Sequence, residues 1–469
     1  MRRWFYVGLI VLVAGCMVGP DYRRPAVDAP ASFRFEDEEA RETANTQWWK
    51  QFEDPVLDSL IAEGLAKNKS VKIAAANIEQ AAGVLTQTRS SLFPQVNYSG
   101  EALRQNITER GPSPVPSSID NPQNYFQFLA GASWELDLWG RVRRLSEAAR
   151  ANLYASADAR RGVILSLVSS IANTYIQLRS LDEQLGIANQ KLKTYGESVY
   201  LFEQQFKYGQ VSQMNVEQAR SQYETAASTI PQLESQIAQT EHSICLLLGR
   251  NPGPIERGKS ILELSPVTVP AGLPSQLLER RPDIMQAEQS LVAANAQIGA
   301  AKALYFPTIS LTAGLGTASE RLSDLFTGPA NVWNFTGTIT GPIFTAGAIS
   351  GQVKQAEASR EAALLGYQNA VQSAFRDVSN ALIARKKLVD QIQAQERLVA
   401  SLREYDRLAW LQYNGGYTPY LTVLNAEQQL FPAELNYVQV RASMLSASVT
   451  LYQAMGGGWV NEADRLTGQ

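Results

Sequence analysis

Gly140, Gly209 and Gly249 recur 207 positions later as Gly347, Gly416 and Gly456. In both sets 69 positions separate the first glycine from the second, and 40 the second from the third. The apolar pattern between the last two glycines repeats as well. Val216, Ala219, Tyr223, Ala226, Ile230, Leu233, Ile237, Thr240, Ile244 and Leu247 step by three and four along the chain. Val423, Ala426, Leu430, Ala433, Tyr437, Val440, Met444, Ala447, Leu451 and Ala454 each lie one offset further on. Sustained stepping of this kind is a coiled-coil seam, which needs a facing helix to cover it. The chain is therefore one structural unit written twice, and the repeat overrides a domain count taken from its 469 residues.

A hydrophobic content of 45% excludes disorder. A net charge of −3 excludes binding to a polyanion by bulk charge, and no nucleic-acid partner is expected. Arg2 and Arg3 precede the apolar run Trp4 to Val13, which is followed by Ala14, Gly15 and Cys16. That order reads as a cleaved signal peptide over residues 1–15 rather than a spanning helix. No other stretch approaches the roughly 20 apolar residues of a transmembrane helix, so any further membrane crossing must use strands. Val13-Ala14-Gly15-Cys16 resembles the bacterial lipoprotein cleavage box, which would make Cys16 the acylated first residue of the mature chain. Met17 in place of Asp favours, by the same resemblance, sorting to the outer membrane. Acylation of Cys16 would leave Cys245 without a disulfide partner.

Residues 16–47 read as a lipidated N-terminal tether, 48–259 as the first repeat and 260–276 as a linker. Residues 277–458 form the second repeat, and 459–469 a polar tail. In each repeat a helix stops at Phe-Pro: about Val71 to Leu92 before Phe93-Pro94, and about Leu277 to Tyr305 before Phe306-Pro307. A hairpin follows each stop, at about 94–138 and 307–344. Trp333, Phe335, Gly337, Ile339 and Gly341 alternate with Asn334, Thr336, Thr338 and Thr340. Phe126, Phe128, Ala130, Ala132 and Trp134 form one face of the first hairpin's second strand, and Val96, Tyr98, Gly100 and Ala102 one face of its first. Period-two stretches of about ten residues with aromatic ends suit lipid-facing barrel strands. A soluble hairpin with one buried face would look the same locally. The Pro-rich run Pro112 to Pro116 reads as an exposed loop.

From Gly140 a helical pattern runs to about Tyr208, long enough for roughly 100 Å of helix at 1.5 Å per residue. Gly209 reverses the chain and a return helix runs to Gly249; the second copy turns at Asn414-Gly415-Gly416. Pro231 and Pro432 fall inside the return helices, where a kink is expected.

Four strands cannot close a membrane barrel, and an open sheet would strand unpaired backbone groups in lipid. The expected fold is mixed but mainly α. Two copies would give eight strands filled by their own side chains, whereas three would give twelve strands and a lumen, with the paired helices hung below as a long tube. Such a tube is a conduit.

The chain resembles the outer-membrane factor family of the TolC/OprM (NodT) type over nearly its whole mature length. The stretches that carry the resemblance are Cys16 to Pro25, Trp48-Trp49 with Phe52 to Pro55, Trp134 to Gly140, Leu278 to Asp283, and Met455 to Trp459. The resemblance implies a homotrimeric, 12-stranded outer-membrane β-barrel with four strands per chain, continued by a long periplasmic α-helical coiled-coil barrel closed at its lower end, and a periplasmic adaptor and an inner-membrane pump as partners. No cofactor is expected beyond the lipid on Cys16. It implies adaptor docking at the helix turns, on Gly209, Gln210, Val211 and Ser212 and on Gly416, Tyr417 and Thr418. It places the periplasmic gate at Tyr413, Leu421, Thr422 and Asn425, with Asn215 and Gln218 as first-copy neighbours. Relatives often have aspartate where this chain has Thr422, Asn425 and Asn215, so an aperture held by packing and hydrogen bonds is expected, with weak cation block.

No enzyme is read. A single histidine gives no Ser-His-Asp set, and His242 with Cys245 make at most two metal ligands, both expected on a flank of the seam. Arg280-Arg281-Pro282-Asp283 reads as a helix start, with Asp283 favourable at the positive end. The favoured function is the exit duct of a resistance-nodulation-division type efflux system for drugs, metals or other small molecules. The alternatives are a type I secretion channel and a non-conducting, periplasm-spanning structural lipoprotein.

Overall fold

The computed structural model describes residues 17–26, 47–108, 121–265 and 277–457. The signal peptide, Cys16, residues 27–46, the loop Pro112 to Pro116, residues 266–276 and the tail lie outside them. The chain divides into two compact units. One holds residues 1–26, 77–156 and 287–367, and the other 27–76, 157–286 and 368–469.

In the first repeat the elements are α1 (Pro55–Lys67), α2 (Lys69–Ser90), β1 (Gln95–Gln105), β2 (Gln123–Leu136), α3 (Arg141–Lys207) and α4 (Gln213–Leu248). In the second they are α5 (Leu277–Arg280), α6 (Pro282–Ala303), β3 (Thr308–Ser319), β4 (Asn331–Thr340), α7 (Ala348–Asn414) and α8 (Tyr420–Ala454). α3 and α7 are both uninterrupted 67-residue helices. Each Phe-Pro stop is followed at once by a strand, since β1 begins one residue after Pro94 and β3 one residue after Pro307.

The helix expected over Leu277 to Tyr305 is two helices. Pro282 starts α6 at a position where its missing N–H has no partner to lose. Arg281, between them, is buried and serves another helix. Its Nη1 donates to the Ala454 carbonyl at 2.9 Å, at the C-terminal end of α8, and its Nη2 to Asp283 at 2.7 Å. A cation there meets the negative end of the helix dipole.

In the first unit the strands form one antiparallel sheet of order β1-β2-β3-β4. Its register aligns the two hairpins. Tyr98 faces Ala130, Ala130 faces Leu315, and Leu315 faces Trp333. Val96, Ala132, Ala313 and Phe335 form the next row. Cross-strand partners share a face, so one side of the sheet is a continuous apolar surface. Tyr98, Trp333, Phe335 and Ile339 on it are between 68% and 81% exposed, so no core of this chain covers them. The other side carries Asn97, Gly131, Gly314 and Asn334, with Glu101 opposite Gln127. Among the described residues β1 and β4 are each paired on one side only.

Residues 17–26, expected as part of an extended tether, are docked on the first unit. Arg144, almost fully buried, donates to Asp21 at 2.8 Å and to the Val18 and Gly19 carbonyls. Asn295 donates to the Pro20 carbonyl, and Tyr22 and Arg24 both reach Glu288. The Gly299 Cα lies so near Val18 that a side chain there would collide with its carbonyl oxygen.

In the second unit Trp48, Phe52, Leu57 and Ile61 pack with Ile164, Val168, Ile171 and Tyr175 of α3, Ile244 and Leu248 of α4, and Val438, Leu445 and Tyr452 of α8. Asp54 caps α1, accepting from the Val56 and Leu57 N–H groups, and is also held by Tyr175 Oη at 2.8 Å and Lys259 N at 3.0 Å. The flank expected for Cys245 is wrong. Its neighbour His242 is exposed, but Cys245 is fully buried in this core, its Sγ donating to the Gly253 carbonyl at 3.3 Å. Leu248, outside the seam, is fully buried beside it, and the seam residue Leu247 is half-buried.

α4 and α8 run through Pro231 and Pro432 as continuous helices. Both prolines are exposed, so the carbonyl each leaves unpaired sits toward the water side of its helix, where solvent can satisfy it.

Candidate functional site

Both long helices of the second unit end in the same turn. In the first, Gly209 N donates to the Phe206 carbonyl at 2.9 Å and Gln210 N to Gln205 at 2.8 Å. In the second, Gly416 N donates to Tyr413 and Tyr417 N to Gln412, each at 2.9 Å. This is the Schellman pattern, which satisfies the last carbonyls and requires a left-handed residue. Gly209 and Gly416 supply it with φ of +69° and +75°. Gln210, Ser212 and Tyr417 are exposed, Tyr417 to 86%, and Val211 and Thr418 are half-buried. At the first turn Ser212 Oγ donates to Asn215 Oδ1 at 2.7 Å, closing the start of α4.

Behind the second turn lies an aromatic cluster that sequence reasoning named only in part. Phe202 of α3 and Tyr420 of α8 have ring centroids 4.3 Å apart, and Tyr413 and Trp410 of α7 stand within 6.2 Å of Tyr420. Val216, Ala219, Val423, Leu424 and Ala426 complete the cluster. The residues assigned to the gate are thereby split. Tyr413 belongs to the aromatic packing, and Thr422 is half-buried. Leu421 and Asn425 are exposed on α8, and Asn215 and Gln218 are half-buried on α4.

The exposed residues of α8 are Leu421, Asn425, Gln428, Gln429, Pro432, Asn436, Gln439, Ser443 and Thr450. None carries a charge. All the charged groups of this helix are turned inward or half-buried: Glu427 and Glu434 are buried, and Arg441 is half-buried with its Nη2 on the Leu264 carbonyl at 3.0 Å. Asp406 of α7 and Tyr195 of α3 stand beside Glu427. Burial, reinforced by the Asp406 charge, pushes the Glu427 carboxyl up to about 7. Burial also raises the Tyr195 and Tyr420 hydroxyls, with Glu427 as the next cause. Sequence reasoning missed Glu427. The signal was available, since the repeat places it opposite Arg220, a reversal of sign between equivalent positions.

Among the described residues no three histidine, cysteine, aspartate or glutamate groups converge to hold a metal, and no helix is long and apolar enough to cross a membrane.

The chain matches the family model for outer membrane efflux proteins over residues 60–250 and 273–457. It is 36% identical over 453 residues to the cation efflux system protein CusC of Escherichia coli O6:H1, covering 95% of this chain and 96% of that one. It is 36% identical over 471 residues to the toluene efflux pump outer membrane protein TtgC of Pseudomonas putida, covering 98% and 96%. It superposes on the open state of the Neisseria gonorrhoeae MtrE outer membrane channel with a TM-score of 0.85 at 31% identity, covering 95% of this chain and 99% of that one.

Proposed function

We propose a mechanism on the premise that this chain belongs to the outer membrane efflux protein family. It is an outer-membrane exit duct of a tripartite efflux system of the resistance-nodulation-division type. It conducts small molecules and performs no chemistry on them. Three copies close the duct, each giving four strands to a 12-stranded barrel and its long helices to a periplasmic tube. Cys16 carries the lipid that anchors it. A periplasmic adaptor docks at Gly209 to Ser212 and at Gly416 to Thr418, and an inner-membrane pump feeds the tube.

The observation that carries this reading is the sheet. Its apolar side is exposed or half-buried along all four strands, and its two edge strands lack outer strand partners among the described residues. In lipid each unpaired backbone group costs several kcal/mol, so neighbouring copies must pair the edges. Eight strands from two copies would be filled by their own side chains, whereas twelve leave a lumen. The exposed flank of α4 supports a neighbouring copy as well, because only eight of its 36 residues are buried within one chain.

Asn425 and Leu421 form the aperture, with Thr422, Asn215 and Gln218 around it and Tyr413 holding the helices behind. The uncharged stripe of α8 fits a lumen wall that neither attracts nor holds ions. An amide ring at Asn425 binds divalent cations weakly where a carboxylate ring would bind them strongly.

Planar-bilayer conductance of the purified full-length protein tests the assignment. Small, closed-like currents that grow when Leu421 and Asn425 are both changed to alanine are expected, together with stronger divalent-cation block in Asn425→Asp. Membrane-inserted protein with no pore in any form would leave a structural lipoprotein as the better reading. Unchanged block in Asn425→Asp would remove that residue from the aperture.

A further inference from the structure

Glu427 and Glu434 sit seven residues apart on the same face of α8, and both are buried, at 2% and 8% exposure. Their surroundings differ. Glu434 is held from both flanks, by Lys191 of α3 at 3.5 Å and Arg403 of α7 at 2.9 Å. Glu427 takes a hydrogen bond from Trp410 of α7, but its Oε2 is buried with no hydrogen-bond partner and no ion pair reaches it among the described residues.

The groups facing Glu427 compensate an ionised carboxylate only in part. From α7 comes Asp406, whose charge opposes it. From α3 come Tyr195 and Lys191; the Lys191 charge favours the ionised form but is shared with Glu434, its ion-pair partner at 3.5 Å, and burial outweighs it. Tyr420 lies seven residues before Glu427, about two turns back on the same face of α8. Asp406 Oδ1 and the Tyr195 and Tyr420 hydroxyls are, like Glu427 Oε2, buried without hydrogen-bond partners. Burying an unpaired charge beside a like charge is costly, whereas a neutral carboxyl fits such a place. The repeat does not impose an acid here either. Its counterpart Arg220 is 46% exposed and pairs with Glu203 at 2.8 Å and Glu217 at 3.4 Å.

We propose that Glu427 is a proton-operated latch of the second tip. Protonated, it lets α8 seat between α3 and α7; ionised, it loosens that packing two residues along the helix from Asn425. The consequence for conduction rests on the reading of Asn425 as an aperture residue.

The sign follows from the raised pKa. The packed tip binds the proton more tightly than a loosened, hydrated one, so packing is fully favoured below the ordinary carboxylate value of 4.5. As pH rises from there to about 7 the loosened form gains, by up to about tenfold per pH unit for each chain, and the gain levels off above. The latch is shut in acid and eases toward neutral pH.

Amide hydrogen exchange of the full-length protein in detergent, read over residues 418–432 between about pH 5 and pH 8 and corrected for intrinsic exchange, tests the latch directly. Protection in the wild type is expected to fall by about tenfold or more across that range. Glu427→Gln, which mimics the neutral acid, is expected to keep its protection throughout. Asp406→Asn is expected to make the fall smaller and to end it at lower pH, because removing the repelling charge lets the packed Glu427 ionise more easily. A wild type with no pH-dependent loss, or the same loss in Glu427→Gln, overturns the proposal. Bilayer conductance on the same three proteins separates the latch from the aperture. Currents that rise with pH only when Glu427 is present support both. A latch visible in exchange with flat conductance keeps the latch and removes the aperture from this tip.

Discussion

α4 and α8 are the same return helix written twice, yet eight of 36 residues are buried in one and 20 of 35 in the other. α8 is flanked on both sides within its own chain. Phe431 packs with Leu181, Ala188 and Tyr195 of α3, and Leu430 and Ala433 pack with Val399 and Leu402 of α7. α4 packs on α3 through Ala226 and Leu233 and reaches α8 through Val216 and Ala219 near the tip. The seam is common to both copies, and the extent of flanking is not. A repeat therefore fixes how a helix turns and which stripe it buries first. How much more it buries depends on which neighbours the rest of the chain delivers.

That contrast is open to direct attack at equivalent positions. The largest effect is expected at Leu430, which is 3% exposed, against its half-buried counterpart Tyr223. Leu430→Ala is expected to destabilise the packing of α8 by about 2–5 kcal/mol, and Tyr223→Ala the packing of α4 by less. Hydrogen exchange of the two helices measures both, and equal losses would mean the two flanks are energetically alike.

A smaller and symmetric effect is expected at the turns. Gly209→Val and Gly416→Val each force a branched side chain into a left-handed conformation, at about 1–2 kcal/mol. Export is expected to fall in either variant while SDS-resistant trimers persist. Full export from both would detach the turns from adaptor docking, and failure of only one would show that the adaptor reads the two tips differently.

The smallest effect belongs to Arg220. Its ion pairs are exposed, so Arg220→Ala is expected to change stability by less than about 0.5 kcal/mol, measured by exchange over α4. A loss several times larger would mean that position is covered in the assembled protein.

Much of this fold is legible in the sequence. Six glycines at three repeated positions all adopt positive φ, between +69° and +88°. The apolar seams are buried or half-buried where the stepping puts them. Each Phe-Pro pair ends a helix and leads into a strand whose alternation is real. The candidate site was legible in its turns and less so in its interior. Tyr413 was marked by resemblance; its partner Trp410 lies three residues back on the same helix, but Phe202 and Tyr420 come from two other helices that no local spacing brings to it.

The sequence by itself determined the features that depend on neighbours along the chain. Helix stops, left-handed turns, the faces of strands and the stripes of helices all follow from local sterics and from periods of two or 3.6 residues. Only the tertiary structure decided what lies across from each of them. It paired β2 with β3 and so joined two hairpins into one apolar surface. It laid Met17 to Ala26 along the buried Arg144. It left Arg220 in solvent and enclosed Glu427 between two further helices, although the repeat treats the positions alike. Burial and the charge state it sets are properties of long-range neighbours, which no local period encodes.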